Sequence, residues 1–271
     1  MPRLVVKKNG VQEIYSPNKV KQTLKRLNVD ELVINYVLSE LEKLPDKVTT
    51  TQLYQKIFRI LSDKDIIAGI KYNLKNAIFL LGPSGYPFEK FFAKVLNFYG
   101  YQTTTNVFLN GSCLVYEIDI VASKDNEQFI IECKYHQQFY SKNDVKTCLY
   151  VYGRYLDIQK VNPYLHCWLA TNTKFTESAI DFAKCYNIKL TSWNYPDDYN
   201  LVTLIENWKL YPVTILTNCN TRVFKEFVKA DIILLKDLLS TDERFIRKIT
   251  NLNNREITNI IQEAKLVLGL N

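Results

Sequence analysis

Two neighbouring segments in which apolar residues stand beside charged residues limit most strongly what this chain can fold into. They are VYEIDIV at 115–121 and FIIECKYH at 129–136. Bulky apolar residues favour a buried strand, whereas charged side chains such as Glu132 and Lys134 are costly there unless they are paired or take part in chemistry. The polar stretch SKDNEQ at 123–128 predicts a turn, so the two segments are expected to form a hairpin.

Alternation of side chains along a strand predicts which residues share a face. On the first strand, one face is predicted to carry Tyr116, Ile118 and Ile120, and the other Glu117, Asp119 and Val121. In a hairpin, Asp119 lies beside Glu132 on the neighbouring strand, and Lys134 follows on the same face. Two carboxylates and a lysine are therefore expected to converge at one end of the sheet.

Adjacent carboxylates require a neutralising partner, because two like charges in contact repel by about 4 kcal/mol at an effective dielectric constant near 20. A Mg²⁺ ion removes this repulsion, takes oxygen ligands and supports phosphodiester cleavage. The Lys134 ammonium is suited to holding an attacking water or to neutralising charge that develops on phosphorus. On spacing alone, a solvated strand end with a surface ion pair is an equal alternative.

The surrounding sequence predicts a mixed sheet covered by helices. A helix is expected from Pro87 to about Tyr99, closed by Gly100, and three strands then follow as a meander. Strands that alternate with helices indicate parallel additions to a sheet. Beyond residue 142, the predicted order is helix 143–158, strand 164–171, helix 175–186 and strand 188–193.

These motifs together resemble the Mrr-type branch of the PD-(D/E)XK nucleases over residues 87–196. The resemblance rests on GSCLVYEIDIVA and QFIIECKYH, preceded by YPFEKFFAKVLNFYG and followed by LATNTKFTESAIDFAKCYNIKLTSW. It implies an endonuclease that uses Mg²⁺ or Mn²⁺. The implied metal ligands are Asp119, Glu132 and the backbone carbonyl of Cys133, and the implied catalytic residues are Asp119, Glu132 and Lys134.

Three further polar positions lie near the implied site. Some relatives use an acid on the first helix, and Glu89 stands in that stretch. Glu117 is predicted to share the active face, where it acts either in catalysis or as a neighbouring charge. The same alternatives hold for His136 and Gln137.

The N-terminal region carries a second resemblance. Two short strand-like runs flank Asn9-Gly10, and four predicted helices follow up to the break GPSG at 82–85. The segments VVKKNGVQEIYSPNKVKQTL, TTTQLYQKIF and IKYNLKNAIFLLGPSG resemble an ATP-cone, a small domain that binds ATP or dATP. The nucleotide contacts implied by this resemblance are Val6, Lys7, Lys8, Asn9, Lys19, Val20, Thr50 and Lys75. The alternative is that these lysines serve solubility only.

The C-terminal segment is predicted to be mostly helical and to end in two short helices around the tight turn TNLNNRE. It resembles a helix-hairpin-helix, a motif that clamps the DNA backbone, although asparagines stand where the motif prefers glycine. The basic residues that this resemblance places against DNA are Arg244, Arg247, Lys248 and Arg255. A helical packing domain without DNA contact is the alternative.

Composition excludes several other classes of protein. The chain has two histidines and six cysteines without a CxxC pair, which leaves little material for a zinc site or a serine-type triad. No GxxxxGK[ST] loop occurs, so a nucleotide-driven motor is not expected. The sequence has no 18-residue apolar run and no signal-peptide pattern, which predicts a cytoplasmic protein without a membrane partner.

The sequence thus predicts an α/β multidomain protein. The expected domains are an ATP-cone at 1–84, a mixed-sheet PD-(D/E)XK nuclease domain at 87–198 and a helical domain at 201–271. The predicted function is a metal-dependent DNA endonuclease of the restriction type, regulated by ATP or dATP and assembled as a homodimer or higher homo-oligomer. The alternatives are a structure-specific nuclease of the Holliday-junction-resolving kind and a nucleotide-responsive regulator that binds DNA without cutting it.

Overall fold

The computed structural model describes residues 3–7, 10–82, 84–217 and 219–270, and the following statements concern these residues. The strands are β1 (Leu4–Val6), β2 (Gln12–Ile14), β3 (Lys47–Thr49), β4 (Gln102–Asn110), β5 (Val115–Lys124), β6 (Glu127–Lys134), β7 (Lys142–Asn143), β8 (Leu165–Thr171), β9 (Lys174–Phe175) and β10 (Lys189–Thr191). The first six helices are α1 (Pro17–Arg26), α2 (Glu31–Glu42), α3 (Thr50–Lys64), α4 (Ile66–Tyr72), α5 (Leu74–Phe79) and α6 (Tyr86–Phe98). The others are α7 (Val145–Gln159), α8 (Glu177–Cys185), α9 (Leu201–Trp208), α10 (Thr221–Lys229), α11 (Leu235–Ser240), α12 (Glu243–Thr250) and α13 (Asn254–Leu268).

A five-stranded sheet in the order β10-β8-β6-β5-β4 forms the centre of the molecule. Strands β4, β5 and β6 pair antiparallel as the predicted meander, and a two-residue turn at Asp125 and Asn126, within the predicted polar stretch 123–128, joins β5 to β6. Strands β8 and β10 add in parallel after the helices that precede them. The structure therefore confirms the mixed sheet that alternating strands and helices predicted.

Helices cover both faces of this sheet. On one face, α6 buries a stripe of phenylalanines, and the Phe92 ring meets the fully buried Trp168 of β8 edge-on. Pro87 stands in the first turn of α6, and Gly100 follows the helix with φ +84°, a conformation that glycine adopts without strain. On the other face, Cys148 and Val151 of α7 pack with residues of α8 in a second core.

Strand β5 does not keep the strict alternation that the sequence predicted. Ile118 packs in the core beneath α7, whereas Ile120 packs in the core beneath α6. The face of the strand therefore reverses at Asp119. Asn106 stands opposite Asp119 in the β4–β5 register with φ +54°, and the regular pairing resumes on both sides of it. This left-handed residue accounts for the local break in the ladder.

The N-terminal region contains one strand and one helix boundary that the sequence did not predict. The predicted hairpin of β1 and β2 is present, but β3 pairs in parallel with β1 to make a third strand. The expected fourth helix is divided into α4 and α5 at Asn73, whose side-chain oxygen accepts hydrogen bonds from Tyr54 at 2.6 Å and from Asn76 at 2.8 Å. Such side-chain bonds compete with the helical backbone pattern.

Helix α5 belongs to the main core rather than to the N-terminal one. The N-terminal core is built from α1, α2, α3 and the start of α4. Leu74, Ala77 and Ile78 of α5 instead pack in the cluster that contains α6, the central sheet and the C-terminal helices. The Thr214 hydroxyl also donates to the carbonyl of Ala77 at 2.7 Å. Helix α5 thus fixes the N-terminal region to the rest of the molecule.

The C-terminal segment consists of helices α9 to α13. Asn251 closes α12 in a left-handed conformation with φ +58°, and Asn253 caps α13 reciprocally with Glu256. The predicted pair of helices around a tight turn is therefore present, although α13 is longer than expected. None of the described helices is long and apolar enough to cross a membrane.

The turn between β4 and β5 is held by Asp157 of α7. Its carboxylate accepts hydrogen bonds from the backbone N–H groups of Cys113 and Leu114 and from the hydroxyl of Tyr116, at 3.0 to 3.2 Å. These donors hold the pKa of Asp157 below its usual range. Gly111 passes so close that a β-carbon there would overlap the carboxylate and lie 2.9 Å from the Tyr116 ring.

Two glycine-to-alanine substitutions are expected to change stability in opposite directions. Gly111→Ala should lower the free energy of unfolding by about 1–3 kcal/mol through overpacking. Gly153→Ala should raise it by about 1 kcal/mol, because Gly153 lies within α7 and a β-carbon there meets no atom within 4 Å. Chemical denaturation of both variants measures the two changes. Equal effects of the two substitutions would contradict the tight packing of Gly111 against Asp157.

Candidate active site

The site forms where β5 and β6 separate at the end of the antiparallel ladder. The last regular pair is Ile120 with Ile131, so Asp119 and Glu132 are the next residues on the two strands. The Asp119 carboxylate accepts a hydrogen bond from the backbone N–H of Cys133 at 2.7 Å. The structure therefore brings Asp119 and the Glu132 segment together, as the predicted hairpin required.

Glu132 is held by two cationic side chains. Its Oε1 atom accepts from Lys134 Nζ at 2.6 Å, and its Oε2 atom accepts from Arg154 Nη1 at 2.8 Å. Only 11% of the Glu132 side chain is exposed, so these pairs are partly shielded from water. Arg154 lies in α7 and was missed from the sequence, since nothing in its local spacing relates it to a strand 22 residues away.

Glu89 belongs to the same group of acids. It lies in the first turn of α6, and its carboxylate is so close to Gly85 that a β-carbon at Gly85 would stand 3.0 Å from it. Burial raises the pKa of Glu89 to about 7, and the neighbouring carboxylates of Asp119, Glu132 and Glu117 add to this shift. Glu89 can therefore exchange a proton near neutral pH.

Asp119 is perturbed in the same direction. Burial raises its pKa to about 6, and the charge of Glu132 contributes further. The hydrogen bond from Cys133 and the cations Lys134 and Arg154 oppose the shift without cancelling it. The charge of the Asp119 carboxylate is thus incompletely neutralised by the side chains around it.

These donors fit a hard divalent cation. No three Asp, Glu, His or Cys side chains among the described residues converge closely enough to hold a metal by themselves. Mg²⁺, however, is usually held by one or two carboxylates, with waters and substrate phosphates completing its shell. Asp119, Glu132 and the backbone carbonyl of Cys133 supply oxygen donors of this kind. The Cys133 side chain points away from them and is buried in the main core.

The remaining polar residues near this end of β6 have structural partners. Arg154 also donates to the backbone carbonyl of Glu117. His136 Nε2 lies 3.0 Å from Asn143 Oδ1, and the His136 backbone exchanges two hydrogen bonds of 2.8 Å with the Asn172 side chain. Thr171 Oγ1 donates to the carbonyl of Lys134 at 2.6 Å. This network fixes the backbone that carries Lys134.

The predicted nucleotide contacts divide into three groups. Lys8 and Asn9 lie outside the described residues. The parallel pairing of Val6 with Thr49 brings the end of the hairpin to the first residue of α3, Thr50. Lys7 makes an ion pair with Glu13, and this pair together with Lys19 lowers the pKa of Glu13. The positions at or near the hairpin are Val6, Lys7, Lys19 and Thr50, and Val20, which follows Lys19 in α1, packs against the N-terminal core.

Lys75 lies on α5 and faces aromatic residues of the nuclease domain. Its ammonium stands 5.6 Å from the ring centre of Phe139 and 5.5 Å from that of Trp193. Burial lowers its pKa to about 8, and the positive charge of Lys174 adds to this. Lys174 also lowers the pKa of Glu13. Lys174 of β9 is therefore near both Lys75 and Glu13 of the hairpin.

The four basic residues assigned to DNA lie on the C-terminal helices. All four side chains are exposed. They are Arg244, Arg247 and Lys248 of α12 and Arg255 of α13.

Removing the charge of Asp119 is expected to stabilise the metal-free fold in a pH-dependent way. Because the folded pKa of about 6 lies above the usual value of 3.8, the stability cost of ionising Asp119 is absent well below pH 3.8, grows between about pH 3.8 and 6, and is complete above about pH 6. With chelator present, Asp119→Asn should therefore gain about 1–3 kcal/mol at pH 8 and much less at pH 4.

Thermal unfolding at both pH values measures this difference. Asp181→Asn is the matched control, because Asp181 is exposed on α8 and lies outside the group of acids. A loss of stability in Asp119→Asn at pH 8 would contradict the conclusion that burial disfavours the ionised acid.

Two family models match this chain. The model described as a restriction endonuclease, of the Mrr catalytic type, matches residues 81–195. The model described as AF1548-like, C-terminal, matches residues 211–268. The first match confirms the nuclease resemblance that the motifs at 87–196 predicted. Both models lie beyond residue 80, so the ATP-cone assignment stays a prediction.

Comparison with known proteins gives the following alignments in sequence or structure. An uncharacterised protein of Archaeoglobus fulgidus is 39% identical over 178 residues, which make up 65% of this chain and 99% of that protein. The crystal structure of AF1548, a protein of unknown function, aligns with a TM-score of 0.61 and 37% identity, covering 69% of this chain and 100% of that one. Can2 from Sulfobacillus thermosulfidooxidans, solved with cyclic tetra-adenylate, aligns over 71% of this chain and 52% of its own with 14% identity.

The Can2 alignment has a TM-score of 0.33, which is too low to support a common fold. The match to the Archaeoglobus protein, by contrast, extends over nearly its whole length. The chain therefore belongs to the AF1548-like family, and its residues 81–195 form a restriction-endonuclease-like domain of the Mrr type.

Proposed function

We propose that this protein is a metal-dependent DNA endonuclease that hydrolyses phosphodiester bonds. The observation that carries the proposal is the convergence of Asp119, Glu132 and Lys134 at one end of the central sheet, within a restriction-endonuclease-like domain. A bare pair of acids with a lysine would suit a surface ion pair equally well. The family of this domain and the burial of the acids favour chemistry instead.

In this proposal each residue has a distinct task. Asp119 and Glu132 hold Mg²⁺ or Mn²⁺ together with the Cys133 carbonyl, and the cation would supply charge stabilisation and an activated water. The hydrogen bond from Cys133 N–H fixes the Asp119 carboxylate. The Lys134 ammonium neutralises charge that develops on the phosphoryl oxygens. Glu89 takes up or releases a proton near neutral pH, in keeping with its raised pKa.

DNA is the substrate that a restriction-endonuclease-like domain implies. We assign the exposed residues Arg244, Arg247, Lys248 and Arg255 to electrostatic contact with its backbone. One active site per chain cuts one strand at a time, so cleavage of both strands in a single binding event calls for two copies. We therefore propose a homodimer or a higher homo-oligomer.

Plasmid cleavage tests the endonuclease proposal. The wild type should nick or linearise DNA in Mg²⁺ or Mn²⁺, whereas Asp119→Ala and Lys134→Met should each lose at least about 100-fold in rate, because electrostatic groups of this kind are worth that much. Glu127→Ala is the matched control, since Glu127 is exposed at the opposite end of β6. Methylated and unmethylated plasmids are compared in parallel.

The outcomes separate the candidate functions. Preference for four-way junctions over linear duplex would replace the restriction-type assignment with a junction-resolving nuclease. If the wild type binds DNA in a nucleotide-dependent way but cleaves none of the DNA substrates, the protein is better described as a regulator. Cleavage that survives in Asp119→Ala would overturn the site.

We further propose that ATP or dATP regulates the nuclease from the N-terminal region. The support is the position of Lys75, whose α5 helix carries it against Phe139 and Trp193 of the nuclease domain. The Tyr135 hydroxyl, next to Lys134 in sequence, also donates to the carbonyl of Phe79 at the end of α5, at 2.6 Å. A nucleotide phosphate bound by Lys75 would therefore act on the segment that follows the site.

Lys75→Met is expected to weaken ATP and dATP binding by about 10- to 100-fold, the usual range for losing a charged hydrogen-bond donor. Calorimetry with each nucleotide measures the affinity, and cleavage with and without nucleotide measures the regulation. Lys43→Met is the control, because the Lys43 side chain is 71% exposed at the end of α2. Unchanged affinity in Lys75→Met would contradict its assignment to the nucleotide.

A further inference from the structure

Arg154 is held at the site by several partners, although the proposed mechanism gives it no role. One nitrogen of its guanidinium donates to Glu132 Oε2 at 2.8 Å, and another donates to the backbone carbonyl of Glu117. The group lies 5.5 Å from the ring centre of Tyr116 and 5.6 Å from that of Tyr150. Its side chain is 16% exposed. Arg154 thus bridges β5 and β6 across the break at Asp119.

Lys134, the other cation on Glu132, is held much less firmly. Its ammonium contacts Glu132 Oε1 and stands 5.8 Å from the Tyr150 ring. Its side chain is 32% exposed, twice the fraction of Arg154. A lysine is also a point charge on a flexible stem, whereas the planar guanidinium is fixed by several directional bonds at once. The two cations therefore differ in how easily they can leave Glu132.

We propose that Arg154 is a positioning residue that holds the Glu132 carboxylate in place for the cation, while Lys134 leaves Glu132 to act on the substrate. The inference rests on the proposed nuclease function. Arg154 stays hydrogen-bonded to Glu132 Oε2 because it is also anchored to β5. Glu132 Oε1 becomes free to bind the cation when Lys134 moves toward the substrate phosphate. Mutation of a group that orients a metal ligand in this way typically lowers metal affinity by about 10- to 100-fold.

This division of roles predicts opposite effects on cation binding. Arg154→Met removes the bond that orients Glu132 and should weaken Mn²⁺ binding by about 10- to 100-fold. Arg154→Lys keeps the charge but loses the bridging geometry, so it should fall between Arg154→Met and the wild type. Lys134→Met removes a competitor for Glu132 and should bind Mn²⁺ at least as tightly as the wild type, although it does not cleave DNA.

Electron paramagnetic resonance of Mn²⁺ titrated into DNA-free protein measures these affinities without any catalysis. Lys146→Met is the matched control, because Lys146 is exposed on the same helix. Circular dichroism and thermal unfolding of every variant identify loss of fold, and Arg154→Lys provides a folded variant for comparison if Arg154→Met is unstable.

The Mn²⁺ affinities test the positioning role of Arg154 separately from the metal-dependent nuclease function. Tighter Mn²⁺ binding in Arg154→Met would show that Arg154 competes with the cation and would overturn the positioning role. Wild-type affinity in both Arg154 variants would overturn it as well. A wild type that binds no Mn²⁺ would instead contradict the metal-dependent nuclease itself, and the positioning role would fall with it.

Discussion

The gathering of carboxylates at the break in β5 is the constraint on which the rest of the site depends. Asp119 and Glu89 have raised pKa values because they are buried near other acids. A set of buried acids so close to one another is destabilising, and it persists only where the surrounding structure holds the side chains in place. Strand β6 supplies the N–H donor to Asp119, α7 supplies Arg154 to Glu132, and α6 supplies Glu89. Each layer of the nuclease domain thus contributes one part of the same electrostatic arrangement.

Local sequence was sufficient to predict the strands and their order around the site. The two apolar segments, the polar turn between them and the later alternation of strands with helices are short-range patterns, and the structure confirms them. The hairpin register also followed, because a turn of known length fixes which residues face each other. Asp119 and Glu132 could therefore be placed together from the sequence alone.

Features that depend on distant partners could not be predicted in this way. Arg154 reaches Glu132 from another helix, and no periodicity encodes that contact. The reversal of β5 at Asp119 depends on a left-handed Asn106 in the neighbouring strand. Strand β3 is only three residues long and forms by pairing with β1. The break at Asn73 likewise depends on Tyr54 of another helix.

The division of the cores has a consequence for folding. One continuous cluster joins α5, α6, the central sheet and the C-terminal helices, whereas a separate and smaller cluster holds α1 to α3 and the start of α4. A shared core favours cooperative unfolding, and a separate one can melt on its own. The C-terminal helices and the nuclease sheet therefore form one cooperative unit, so cutting the chain between them would expose apolar surface on both fragments. The N-terminal core can open while this unit stays folded.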